Sequence, residues 1–253
     1  VTTAFAAVDA RVVSRPLFTV AFYAWTVSLL SLHAAVSIAA LPCALVFDRD
    51  RRFAASLGSW LTRTAMRMSP QLRDTASGLA SLRSATRGRP TVIVMNHRSI
   101  ADIGLAVAVP GGPKIVSKPW VGRLPLVGLC MRLCGHLIVD PTSPRSVRRL
   151  MKRAEGLLAR GESVLFFPEG TRRTSPGLGV FHEGAFRLAV RAGADVLPVV
   201  LRGTGEFVPK GSLMFSDAPI GVTVLPRIAP GRDRRALARR VRAAMAASPA
   251  ANG

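Results

Sequence analysis

The stretch "TVIVMNHRSIAD" occupies Thr91 to Asp102. Its first five residues are apolar or β-branched, the composition of a short strand buried on both faces. That strand, predicted over 91–95, delivers an asparagine, a histidine and, five positions after the histidine, an aspartate. On one ideal helix a spacing of five puts side chains about 140° apart, because each residue turns about 100°. If instead His97 lies in the turn and the helix begins near Ser99, the Asp102 carboxylate can fold back onto the imidazole. An aspartate that accepts from one ring nitrogen fixes the tautomer and leaves the other nitrogen free to take a proton. The same residues also fit a helix start, with Ser99 as cap and Asp102 as its capping-box partner. That second reading leaves His97 without a role.

Working outward, the chain from about residue 88 alternates short β-rich runs with helical ones. Strands are predicted at 91–95, 114–117, 135–139, 163–167, 195–201 and 220–226. Helices are predicted at about 99–108, 120–133, 144–159, 181–192 and 232–247. In the helix over 144–159, Val147, Leu150, Met151, Ala154, Leu157 and Leu158 form one apolar stripe. The pattern implies an α/β fold, a mixed and largely parallel sheet flanked by helices. Functional groups in such folds collect where strands end.

Ahead of this domain, 32 consecutive residues from Pro16 to Phe47 carry no Asp, Glu, Lys or Arg. That is too long for a signal-peptide core of about 7–15 residues. It exceeds the roughly 20 residues of one straight crossing and falls short of two. Basic residues flank both ends, Arg11 and Arg15 before and Arg49, Arg51 and Arg52 after. A hairpin dipping into one leaflet or a long tilted span fits, and a buried core helix is the remaining alternative. "AALPC" before Cys43 resembles a lipoprotein site, but the proline beside the cysteine argues against it. Behind it, residues 48–68 place Phe53, Leu57, Trp60, Leu61, Thr64 and Met68 at helical spacing, with Arg52, Arg63 and Arg67 largely off that stripe. A basic amphipathic helix of this kind reads as lying in a membrane interface. The expected organisation is therefore a membrane-embedded helical segment, 1–70, and an α/β domain, 71–253.

Composition narrows the partners. The chain has 253 residues, 49% of them hydrophobic, and a net charge of +21, which excludes disorder and calls for an anionic partner. Aromatic residues are few, leaving little material to stack nucleic-acid bases. A nucleic-acid binder would also leave the uncharged run and the His97–Asp102 pair idle. The same objection to an idle pair applies to a non-catalytic scaffold on a lipid surface. Three cysteines in apolar stretches give no disulfide framework. Cys130, Cys134 and His136 hint at metal ligation, but no fourth ligand lies near, and no metal is expected.

A second polar stretch, "FFPEGTRR" (Phe166 to Arg173), follows the strand at 163–167. Pro168 ends a ladder, Gly170 permits a tight turn, and two arginines suit a phosphate. Taken together, "NHxSxxD" and "FPEGTR", about 70 residues apart, resemble the glycerolipid acyltransferase family, typified by the 1-acylglycerol-3-phosphate acyltransferases. "GHLIVD" (Gly135 to Asp140) resembles that family's second block and "VLPVVL" (Val196 to Leu201) its fourth. "SKPWVGRLPLVG" (Ser117 to Gly128) lies where its members place a lysine-containing segment.

The resemblance implies that His97 is the general base and Asp102 its orienting partner. An acceptor hydroxyl would attack an acyl thioester directly, with acyl-CoA or acyl carrier protein as co-substrate and no bound cofactor. Glu169, Gly170, Thr171 and Arg172 would bind the acceptor, with Arg172 on its phosphate, and Lys118 would assist. The expected acceptor is lysophosphatidic acid, the product phosphatidic acid, and the setting an anionic membrane surface. The expected location is a bacterial-type inner membrane, with the site facing the cytoplasm. One departure matters: the family's second block usually ends in Asp-Arg, whereas here Asp140 precedes Pro141. Another lyso-lipid, such as lyso-ornithine lipid, is therefore an alternative acceptor.

Overall fold

The computed structural model describes residues 10–40, 42, 46–48, 50–68, 72, 75–175, 177–212, 214–216 and 218–249, with the side chains of 10–18 left aside. Cys43, and with it the lipoprotein-like site, lies outside the described residues.

Six strands form one sheet: β1 (Val92–Met95), β2 (Lys114–Ser117), β3 (Leu137–Ile138), β4 (Val164–Phe166), β5 (Val196–Arg202) and β6 (Gly221–Val224). Their order is β3-β2-β4-β1-β5-β6, parallel except for the antiparallel β5–β6 pair at one edge. β1 is central, with Val92 opposite Val164 on one side and Val196 on the other. All six predicted strands are present, and the mixed, largely parallel sheet is as the sequence implied.

Alternate residues of β1 serve different cores, as the two-residue period of a strand requires. Val92 and Val94 pack under α6 (Pro144–Ala159), α7 (Gly184–Ala192) and α9 (Arg234–Ala246). Ile93 and Met95 face the other core, beneath α3 (Thr75–Thr86) and α4 (Ala101–Ala108). Burial on both faces is why this strand reads as an unbroken apolar run.

The helix expected over 120–133 is broken. A 3-10 turn spans Val121–Arg123, and α5 covers only Val127–Leu133. Pro125 lacks an N–H and holds Leu124 extended, and Leu126 then takes a positive φ of 59°. α3 and the short α8 (Thr204–Phe207) were not anticipated; neither carries a strong apolar period.

As far as Ala39 the uncharged N-terminal run is a single helix. α1 (Ala10–Ala39) is one helix of 30 residues, and its partner is α2 (Arg52–Met68). By length and composition its Thr19–Ala39 portion is able to cross a membrane. Yet α1 also packs on the domain: the Phe22 ring lies tilted against Phe215, centroids 4.4 Å apart, and His33 Nε2 lies 2.9 Å from the Ala54 carbonyl of α2. α2 turns its small residues Ala54, Ala55, Gly58 and Ser59 inward and leaves Phe53 and Trp60 half-exposed, as α1 leaves Val20, Val27 and Leu32. An ordinary surface helix buries its large apolar residues; α2 presents two of them outward.

The connection before α2 is fastened at the sheet end away from the strand exits. Lys114, fully buried at the start of β2, donates to the carbonyls of Arg51 (3.2 Å) and Cys134 (2.9 Å). Arg160 adds a forked pair to Asp50, both bonds at 2.7 Å.

Candidate active site

Because β4, β1 and β5 are adjacent and parallel, their C-terminal ends open onto one edge, where loops meet. Asn96 ties two of these ends together. Its side-chain amide donates to the Leu201 carbonyl (2.9 Å) and accepts the Leu201 N–H (2.7 Å), prolonging the β1–β5 ladder by one rung. This accounts for the asparagine at the strand exit.

His97 follows in the turn, and α4 starts at Ala101. The Asp102 side chain therefore reaches back, and its Oδ2 lies 2.8 Å from His97 Nδ1. The same oxygen accepts the backbone N–H groups of Arg98 and Ser99, each at 2.7 Å. One oxygen thus serves the imidazole and, as a capping-box partner would, the Ser99 N–H, although the N-cap is Ile100 rather than Ser99 and has no side-chain cap. A carboxylate only accepts, so Nδ1 carries the proton and Nε2 is left as an acceptor. Asp102 is fully buried while the His97 side chain is 14% exposed, so the charge is enclosed and the base is reachable. Phe167 stacks on the imidazole at 4.4 Å and limits its rotation.

The second motif lies against the first. Glu169 Oε1 accepts the His97 backbone N–H (3.0 Å), and Oε2 accepts the Gly179 N–H (2.9 Å). Arg173 N–H donates in turn to the His97 carbonyl (3.0 Å). Glu169 is buried, with a side chain 3% exposed and both oxygens taken by backbone. The resemblance implies that it binds the acceptor; in the structure its two oxygens are taken up by the His97 and Gly179 N–H groups, which ties it to the His97 turn. Gly170 has φ +65°, and a Cβ there would lie 2.9 Å from His182 Cδ2, so both its conformation and its space require glycine. Thr171 is exposed beside it. Arg172 is half-buried, and its guanidinium has no hydrogen-bond or ion-pair partner among the described residues. Lys118 is exposed just past β2, two strands from β1 and so about 10 Å away laterally.

The suggested metal ligands do not converge. Cys130 donates to the Leu30 carbonyl at 3.6 Å, and Cys134 Sγ lies 3.5 Å from His33 Nε2. His136 Nδ1 accepts the Ile115 N–H at 3.2 Å. Burial pushes the Cys134 thiol up to about 12 and His136 down to about 3, so one stays protonated and the other neutral. No group of three metal-ligating side chains occurs among the described residues.

Gly179 and Phe167 belong to the site but escaped the sequence. Gly179 contributes a backbone N–H, and a Cβ there would lie 2.8 Å from Glu169 Oε2, a close approach set by residues that meet only in the fold. Phe167 was within the quoted motif, where a strand position hid its role as a stacking partner.

A carboxylate-oriented histidine at the C-terminal edge of a parallel α/β sheet, in a turn bonded to the loop that carries Arg172, is an arrangement suited to acid–base chemistry. Comparison with known proteins specifies the kind. A family model described as Acyltransferase matches residues 77–202. A 1-acyl-sn-glycerol-3-phosphate acyltransferase of Chlamydomonas reinhardtii is 33% identical over 90% of this chain and 68% of its own length. A chloroplastic enzyme of the same name from Brassica napus is 37% identical over 68% of this chain, which spans 49% of that relative. The crystal structure of the 1-acyl-sn-glycerophosphate acyltransferase of Thermotoga maritima superimposes with a TM-score of 0.72 at 21% identity, covering 93% of this chain and 94% of that one. The chain belongs to the glycerolipid acyltransferase family.

Proposed function

We propose that this protein transfers an acyl chain from a thioester, acyl-CoA or acyl carrier protein, to the free hydroxyl of lysophosphatidic acid, giving phosphatidic acid. The His97–Asp102 pair beside the unpaired Arg172 carries the reading, and the names of the relatives favour this acceptor. His97 Nε2 takes the hydroxyl proton as the acceptor oxygen attacks the thioester carbonyl carbon. The tetrahedral adduct collapses, the C–S bond breaks, and the imidazolium returns the proton to the departing thiolate. Asp102 stabilises the transient imidazolium. Cys130 and Cys134 are buried against α1 and offer no alternative nucleophile. Glu169 acts as a positioning residue, Gly170 and Thr171 shape the loop, and Arg172 takes the acceptor's phosphate, with Lys118 at the rim.

Asp140-Pro141 supports a second reading, in which the same chemistry acts on a lyso-lipid without a phosphomonoester. The two readings separate in a comparison of acceptors. For lysophosphatidic acid, Arg172→Ala should raise KM at least tenfold, as a charge-assisted hydrogen bond is worth about 1.5–3 kcal/mol. If the wild type prefers lyso-ornithine lipid and Arg172→Ala changes neither KM, the second reading holds. The primary assay is thioester consumption by the purified chain across a panel of lyso-lipids.

The protein is proposed to rest on an anionic membrane surface, at the cytoplasmic face of a bacterial-type inner membrane, through the outward apolar residues of α1 and α2. Contacts from Thr19 to Ser37 keep α1 against the domain, which favours seating in one leaflet over an isolated crossing. The double variant Phe53→Glu/Trp60→Glu should lower partition onto anionic vesicles at least tenfold, because burying each aromatic is worth about 1.5–3 kcal/mol. Transfer to a detergent-dispersed acceptor should persist. Unchanged vesicle binding would remove α2 from the membrane contact.

A further inference from the structure

We propose that Lys210 is a further cation for the acceptor's phosphate, acting with Arg172 while Lys118 stays at the rim. This inference rests on the phosphomonoester acceptor proposed above. Such a headgroup carries close to two negative charges near neutral pH, and a single arginine leaves much of that uncompensated.

The charge that relatives place after the second block is absent, since Pro141 stands there. Nor does that flank readily replace it. Pro141 and Arg145 follow β3, at the sheet edge and three strands from β1, about 14 Å away laterally. Arg173 is engaged as well: its guanidinium bonds Ser175 Oγ and lies 3.9 Å from the Glu169 carboxylate.

Lys210 comes from the opposite flank. β5 ends beside β1, and the chain then turns at Gly203, whose φ is +76° and where a Cβ would lie 1.9 Å from the Pro219 carbonyl oxygen. Only glycine fits that turn, which sends residues 204–210 back over the site. Ser99, within the His97 turn, donates its hydroxyl to the Val208 carbonyl at 2.8 Å and holds this segment against the catalytic pair. Two residues on, Lys210 Nζ donates to the Arg172 carbonyl at 3.3 Å. An ammonium has three N–H groups, so two remain for an anion. Arg98, whose Nε lies beside Gly205 in the same segment, adds a further cation with no side-chain partner among the described residues. The loop after β5 thus brings the Lys210 ammonium onto the backbone of Arg172, one residue before the Arg173 N–H that bonds the His97 carbonyl.

The test is steady-state kinetics of the full chain with lysophosphatidic acid, together with inhibition by inorganic phosphate, for wild type, Lys210→Ala and Lys210→Arg. Lys210 is exposed, so neither substitution disturbs the core. Lys210→Ala should raise KM about tenfold with kcat within about twofold, and weaken phosphate inhibition in parallel. Lys210→Arg should recover most of the loss. An unchanged KM in Lys210→Ala, with Arg172→Ala still raising it, overturns the role of Lys210 alone. Failure of the wild type to acylate lysophosphatidic acid overturns both this inference and the function it rests on.

Discussion

His97→Ala is expected to lower kcat for acyl transfer by about 10²–10⁴, the usual contribution of a positioned general base. Folding and membrane binding should survive, because the imidazole is near the surface and its Nε2 makes no bond that the fold requires. Asp102→Asn should also slow the reaction, by about 10², but for a different reason. The amide oxygen can still accept from Nδ1 and from the Arg98 and Ser99 amides, so the turn is kept. What goes is the negative charge, 2.8 Å from Nδ1, that stabilises the imidazolium formed during attack. Normal turnover by His97→Ala, at normal protein level, would sink the mechanism. Normal turnover by Asp102→Asn would reduce Asp102 to a helix cap.

The second large effect is expected at Glu169. In Glu169→Gln the side chain keeps its shape, but one acceptor oxygen becomes an NH₂. Two backbone donors, His97 N–H and Gly179 N–H, then face one acceptor and one donor. An unsatisfied buried group costs about 1–3 kcal/mol, so the His97 turn should shift to relieve it. Displacement of a reacting group by about 1 Å can cost about 10² in rate. The expected signature is a kcat lowered by about 10², KM for the acceptor nearly unchanged, and faster hydrogen exchange at the His97 and Gly179 amides. A raised KM with normal kcat would instead return Glu169 to the acceptor site, where the family resemblance had put it.

The central strands β1, β4 and β5 were legible because they are buried on both faces and are almost wholly apolar, while β2, β3 and β6, partly exposed, were marked by short β-rich runs between helical ones. The helix over 144–159 was legible to its ends, since Ser143 caps it and Pro144 opens it. The break at Pro125 was misread: the apolar content of 120–133 continued through it, although proline's missing N–H and its hold on Leu124 were already written there. On the N-terminal run, composition indicated affinity for lipid but not path. Whether an uncharged helix crosses a bilayer or lies along a domain depends on what covers its other face. Here that cover comes from Phe215, Ala54 and Cys134, all distant in sequence.

The sequence by itself determined the kind of sheet, put a strand-exit histidine within possible reach of an aspartate, and placed arginines in the turn of the second motif. These are local matters, governed by periods of two and 3.6 residues and by a turn of a few residues. Tertiary structure alone decided what Glu169 bonds and which lysine reaches the Arg172 backbone. Glu169 meets His97 across 72 residues and Lys210 meets Arg172 across 38. Neither partnership follows from local spacing. Each exists because β4, β1 and β5 are laid side by side in parallel, so that three chain segments far apart in sequence emerge at one edge. The side chains there take their roles from whichever backbone donors and charges the neighbouring strand brings.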